Sequence, residues 1–124
     1  MKHIADPTVK IVKFMDTNSE VKLKINIDYG NEHVSHTTIL KNREKFHSSL
    51  GNIDVSLGSM KELAGCIFDI TTTVPDLNPN VNKVSISAEL KGAVDIPILI
   101  KPIENVEDGD VVSFPITIIF QIQN

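Results

Sequence analysis

Apolar and polar side chains alternate with a period of two along most of this chain. Over residues 20–28, Val21, Leu23, Ile25 and Ile27 are separated by Lys22, Lys24, Asn26 and Asp28, the pattern of a strand with one buried and one wet face. Val84, Ile86, Ala88 and Leu90 repeat it against Ser85, Ser87, Glu89 and Lys91, and Ile53, Val55 and Leu57 repeat it against Asn52, Asp54 and Ser56. A longer run follows: Val112, Phe114, Ile116, Ile118, Phe120 and Ile122 keep a single parity. Residues 8–15, 33–41, 65–74 and 94–101 are less regular but rich in Val, Ile, Thr and Phe, as pleated surfaces prefer. Turn chemistry at 16–19, 29–31, 75–80, 91–92 and 107–110, built from Gly, Asn, Asp and Pro, separates these stretches.

Short strands divided by frequent turns predict an all-β fold. The expected architecture is one domain over residues 1–124, a single antiparallel β-sandwich of about seven to nine strands of immunoglobulin-like or C2-like type. A flattened β-barrel is the alternative. Two helical interruptions are expected, a capping box at Ser59-Met60-Lys61-Glu62 with Gly65 near its end, and a second short helix within 42–49. Neither can persist without packing.

Two prolines interrupt apolar runs. Pro97 and Pro115 lack the backbone donor a ladder uses, so their strands are expected at a sheet edge or beside a bulge. The sequences around them, Ile96 to Ile100 and Ile116 to Phe120, are apolar on both parities, more than a sheet with one wet face requires. An edge of that kind is a template for pairing with another chain. Pro97, Leu99, Thr117 and Ile119 are therefore the expected interface residues.

Composition narrows the function. With 124 residues the chain has the length of one domain, and 41% apolar with 23% charged residues is a globular balance. Lys plus Arg number 12 against 16 Asp plus Glu, a net charge of -4, which disfavours phosphate backbones and anionic lipid. The charge is uneven, 9 basic to 8 acidic groups over 1–62 and 3 to 8 over 63–124. Trp is absent, so the stacking platforms that sugar and RNA readers use are scarce. Cys66 is the single cysteine and cannot close an intrachain disulfide. No apolar run reaches the ~20 residues of a membrane helix or the flanks of a secretory signal. A cytoplasmic protein is expected, a removed leader aside, with itself or another protein as partner, no nucleic acid, and no insertion into a membrane.

Candidate chemistry is thin. Asp76, Asn78 and Asn80 place oxygens at alternate positions, and Glu107, Asp108 and Asp110 crowd a later turn. Loops 76–82 and 104–110 could jointly offer the six to eight oxygens that calcium takes. Counted from Asp76, however, Val81 and Ser87 stand where an EF-hand needs Gly and Glu. His33 and His36 are separated by an odd interval and would face opposite sides of a strand. His47 sits beside Ser48 and Ser49 without a nucleophile elbow. Cys66 keeps register with Phe68 and Ile70 and reads as a small core residue. No catalytic residue is assigned. The expected function is a non-enzymatic β-sandwich interaction or assembly protein, oligomerising through carboxy-terminal apolar edge strands and needing no cofactor. The alternative is a calcium-assisted ligand-binding module.

Overall fold

A computed structural model describes residues 2–13, 18–76, 83–92, 98–107 and 109–121. Two sheets pack face to face. The first contains β1 (Lys2–Ile4), β2 (Thr8–Lys13), β4 (His36–Lys41), β5 (Glu44–Leu50), β7 (Ile67–Pro75) and β11 (Val111–Gln121). Its order is β5-β4-β7-β11, and β1 and β2 lie end to end along the far side of β11. The second contains β3 (Glu20–Tyr29), β6 (Ile53–Ser59), β8 (Lys83–Lys91), β9 (Ile98–Ile100) and β10 (Ile103–Asn105). Here the order is β6-β3-β8, with β9 and β10 sharing the outer side of β8. Neither sheet closes on itself, so the fold is a sandwich and not the flattened barrel.

The period-two pattern becomes the core. Val21, Leu23 and Ile25 from β3 and Val84, Ile86, Ala88 and Leu90 from β8 face Phe68, Ile70 and Val74 from β7 and the even-numbered residues Val112 to Phe120 of β11. Phe68 and Phe120 meet edge to face with centroids 5.7 Å apart, the geometry that opposes a positive ring edge to a negative face. Ser59 caps the single helical turn α1 (Met60–Leu63), accepting from the Glu62 N–H, while Met60 and Leu63 point into the core. The Ser59 hydroxyl also donates to the Glu62 carboxylate at 2.8 Å, a variant of the expected reciprocal box.

Three expectations change. Residues 42–49 are not helical: Asn42 and Arg43 both take positive φ, 50° and 72°, and turn β4 back into β5. That is the handedness a two-residue hairpin needs. The ladders are antiparallel except where β1 and β2 run parallel to β11. Since β2 is followed by β3 in the opposite sheet, no hairpin turn dictates its direction.

Pro115 also departs from expectation, because β11 is an interior strand. Even-numbered Phe120 bonds towards Cys66 and Gly65, on the β7 side, whereas odd-numbered Ser113 accepts from the Ala5 N–H on the β1 side. The nitrogen of Pro115 therefore faces the junction where β1 ends at Ile4 and β2 begins at Thr8. No ladder donor is required there, so the proline sits mid-sheet without breaking a bond. Pro97 lies outside the described residues.

Candidate functional site

The expected interface residues do not share one surface. Leu99 is 50% exposed on β9, opposite Glu89 on the outer face of the second sheet. Thr117 and Ile119 are half-buried on the outer face of the first sheet. Thr117 donates to the Asp69 carboxylate at 2.9 Å, which ties it to β7. Because β11 is interior, its own backbone is already paired on both sides.

What the pattern did point to is an apolar row. Ile119 lies opposite Ile67 of β7 on one side and Ile11 of β2 on the other. Residues paired across a ladder project from the same face, so these three isoleucines stand in line across three strands. Ile11 is 59% exposed and Ile67 40%, and Val9 adds a further side chain, 56% exposed, beside Thr117. Away from this row the same face is mixed: Thr73 and Ser113 are 3.1 Å apart and Ser48 lies against His36, but Ile4 beside Ser113 and Leu50 beside His36 are also exposed.

Beside the row runs a strand edge that no described element pairs with. Among the described residues β2 pairs with β11 alone. The odd-numbered residues of β11 bond towards it, and in a parallel ladder their partners' neighbours complete those bonds. Thr8, Lys10 and Val12 therefore direct their backbone groups inward to β11, and Val9, Ile11 and Lys13 direct theirs outward. Sequence reasoning named Ile119 but missed Ile11 and Ile67. A lone Ile11 between Lys10 and Val12 carries no sign of which strand it will border.

The acidic loops come together in part. Asp76 donates its N–H to the Asp110 carbonyl at 2.7 Å, and Gly109 donates to the Asp76 carbonyl at 2.8 Å. The Asp110 carboxylate accepts from the Glu107 N–H at 2.9 Å and from His3 Nε2 at 2.8 Å. Those bonds, the Glu107 N–H first and His3 second, hold the Asp110 carboxyl down at about 2 against the usual 3.8. This links β1 to the turn before β11. Glu107 is exposed, while Asn78, Asn80 and Asp108 lie outside the described residues. Among the described residues no three His, Cys, Asp or Glu groups gather as metal ligands would.

The histidine–hydroxyl pairs rearrange on the β4–β5 hairpin. His33 precedes β4 in a turn, its N–H bonded to the Asn31 side chain, so it shares no strand with His36. His36 Nε2 is 2.7 Å from Ser48 Oγ, and Thr38 Oγ1 is 3.5 Å from Nδ1. His47 Nε2 pairs with Ser49 Oγ at 3.0 Å. Hydroxyls thus lie beside both ring nitrogens of His36. Cys66 is half-buried against the core. Tyr29, 44% exposed, has the Lys83 ammonium 4.0 Å from its ring centroid.

No helix among the described residues is long and apolar enough to cross a membrane. Comparisons of the chain with protein-family models, with curated proteins and with solved structures find no match.

Proposed function

We propose that this chain is a non-enzymatic interaction or assembly protein whose binding element is strand β2 together with the isoleucine row beside it. The observation that carries the reading is the alignment of Ile67, Ile119 and Ile11 at one register position on three neighbouring strands, ending at a strand whose outward backbone groups pair with no described element. Such an edge gains main-chain hydrogen bonds from an added strand, and the apolar row gives that strand a surface on which to lay its side chains. Burying an exposed isoleucine removes apolar area from water at roughly 25 cal/mol per Å². The net charge of -4 and the sparse aromatic surface favour a protein partner over nucleic acid.

Sedimentation velocity across a dilution series tests the reading. The protein should associate at high concentration, since a contact built on one short strand belongs to the weak class below about 1,200 Å². Ile11→Asp should abolish association with the circular dichroism spectrum unchanged, because Ile11 faces solvent on an edge. Leu99→Asp, on the opposite face, should leave it intact. Association lost with Leu99→Asp and retained with Ile11→Asp would overturn the proposal.

A further inference from the structure

We infer that the strand received by β2 is β2 of a second copy of this chain, running antiparallel about a two-fold axis that passes beside Ile11. The inference rests on the reading of β2 as a binding edge and adds the partner and its register. A two-fold contact requires the edge to be its own complement, and three features of β2 meet that requirement.

The first is hydrogen bonding. Ile11 directs its N–H and C=O outward, so placing it opposite Ile11 of the second copy forms a reciprocal pair of N–H to O=C bonds. Val9 and Lys13, with outward groups of the same parity, then pair with Lys13 and Val9 of the second copy. The ladder would contain six such bonds, by the rule that facing residues in alternate positions exchange both.

The second is charge. Lys10 and Lys13 are the only ionised side chains of Thr8–Lys13. Shifting the axis by one residue towards the amino terminus sets Lys10 directly against Lys10, and like charges facing each other across a ladder destabilise it. Centred on Ile11, every cross-strand pair is either Ile with Ile or Lys with Val, and a lysine stem can lie along a valine with its ammonium in water. Centring on Val12 also separates the lysines, but it leaves only residues 11–13 of the strand paired.

The third is the surface. In the Ile11 register the row Ile67, Ile119, Ile11 meets its own copy end to end. Six isoleucines then line one face of a continuous sheet, and two six-stranded sheets become one.

Single cysteines in a Cys66→Ser background test the register, since a disulfide closes only when the two Cα atoms lie about 4.4–6.8 Å apart. Ile11→Cys should form disulfide-linked dimers under mild oxidation, facing residues in such a pair being about 5.5 Å apart. Val9→Cys mixed with Lys13→Cys should cross-link, and neither should do so alone. Preferential cross-linking of Lys10→Cys would overturn the register. If sedimentation shows association that Ile11→Asp removes, yet none of these cysteines cross-link, the two-fold partner is wrong and the binding edge stands. Association insensitive to Ile11→Asp removes both.

Discussion

Thr37 and Thr72 face each other across the β4–β7 ladder, and their hydroxyl oxygens lie 2.8 Å apart in the interior with neither side chain reaching solvent. They are a polar pair inside an otherwise apolar layer that includes Ile39, Ile70 and Val74. One hydroxyl donates to the other. Thr37→Val should therefore cost about 1–3 kcal/mol, the desolvation penalty of the hydroxyl left behind on Thr72. The double variant Thr37→Val, Thr72→Val should recover most of that loss. A double-mutant cycle by urea unfolding measures the coupling directly.

The bond between His3 and Asp110 sets an acid limit on the attachment of β1. A carboxyl held at about 2 in the folded protein against 3.8 unfolded is depressed, so it stabilises the fold above the unfolded value. That contribution is lost as pH falls from about 4 towards 2. Asp110→Asn should lower the melting temperature at neutral pH, and its deficit relative to the wild type should vanish across this acid window. Thermal melts of both proteins between pH 2 and pH 7 check the sign.

Gly92 and Gly109 share positive φ, 87° and 84°, but differ in surroundings. A methyl group at Gly92 would collide with the backbone oxygen of Glu20, whereas one at Gly109 would meet open space. Both alanine variants incur the left-handed strain of roughly 1 kcal/mol, and Gly92→Ala adds a clash that a backbone atom cannot relieve by changing rotamer. Gly92→Ala should lower the unfolding free energy clearly more than Gly109→Ala. Equal losses would show that the Glu20 backbone yields easily.

Phe68 touches both Phe120 and Phe46 edge-on, with centroids 5.7 and 5.5 Å apart, and is fully buried. Phe68→Ala should destabilise by about 3–5 kcal/mol through lost transfer energy and the cavity left behind. Urea denaturation provides the value, with the slope unchanged if the fold is retained.

The parts of this fold legible in the sequence are those where one face is dry and the other wet. Lys22, Lys24 and Glu89 alternate with buried residues because both of their strands are interior to a sheet with a solvated outer face. Strand β5 was not legible. Its order, Glu-Lys-Phe-His-Ser-Ser-Leu, carries no alternation, since an edge strand buries little and the register shifts beside Phe46. Its turn hid as well: Asn42 is a favoured first residue, but Arg43 stands where glycine would have announced the hairpin. Pro115 misled for the opposite reason. The rule that proline belongs at an edge concerns a missing donor, and here that donor would have faced the break between β1 and β2. The apolar row beside β2 was half visible. The second apolar parity of β11 pointed to an unusual outer face through Ile119. The row itself depends on parallel pairing between residues near the two ends of the chain, which no local pattern encodes.

The most direct test of association through β2 is residue-resolved amide hydrogen exchange at low and high protein concentration. In the isolated chain Lys10 and Val12 should be protected by β11, while Val9, Ile11 and Lys13 exchange freely. Raising the concentration should slow Ile11 and its two alternate neighbours and leave Lys10 and Val12 as they were. An Ile11 amide that exchanges at the same fast rate at every concentration at which the protein associates would contradict the account.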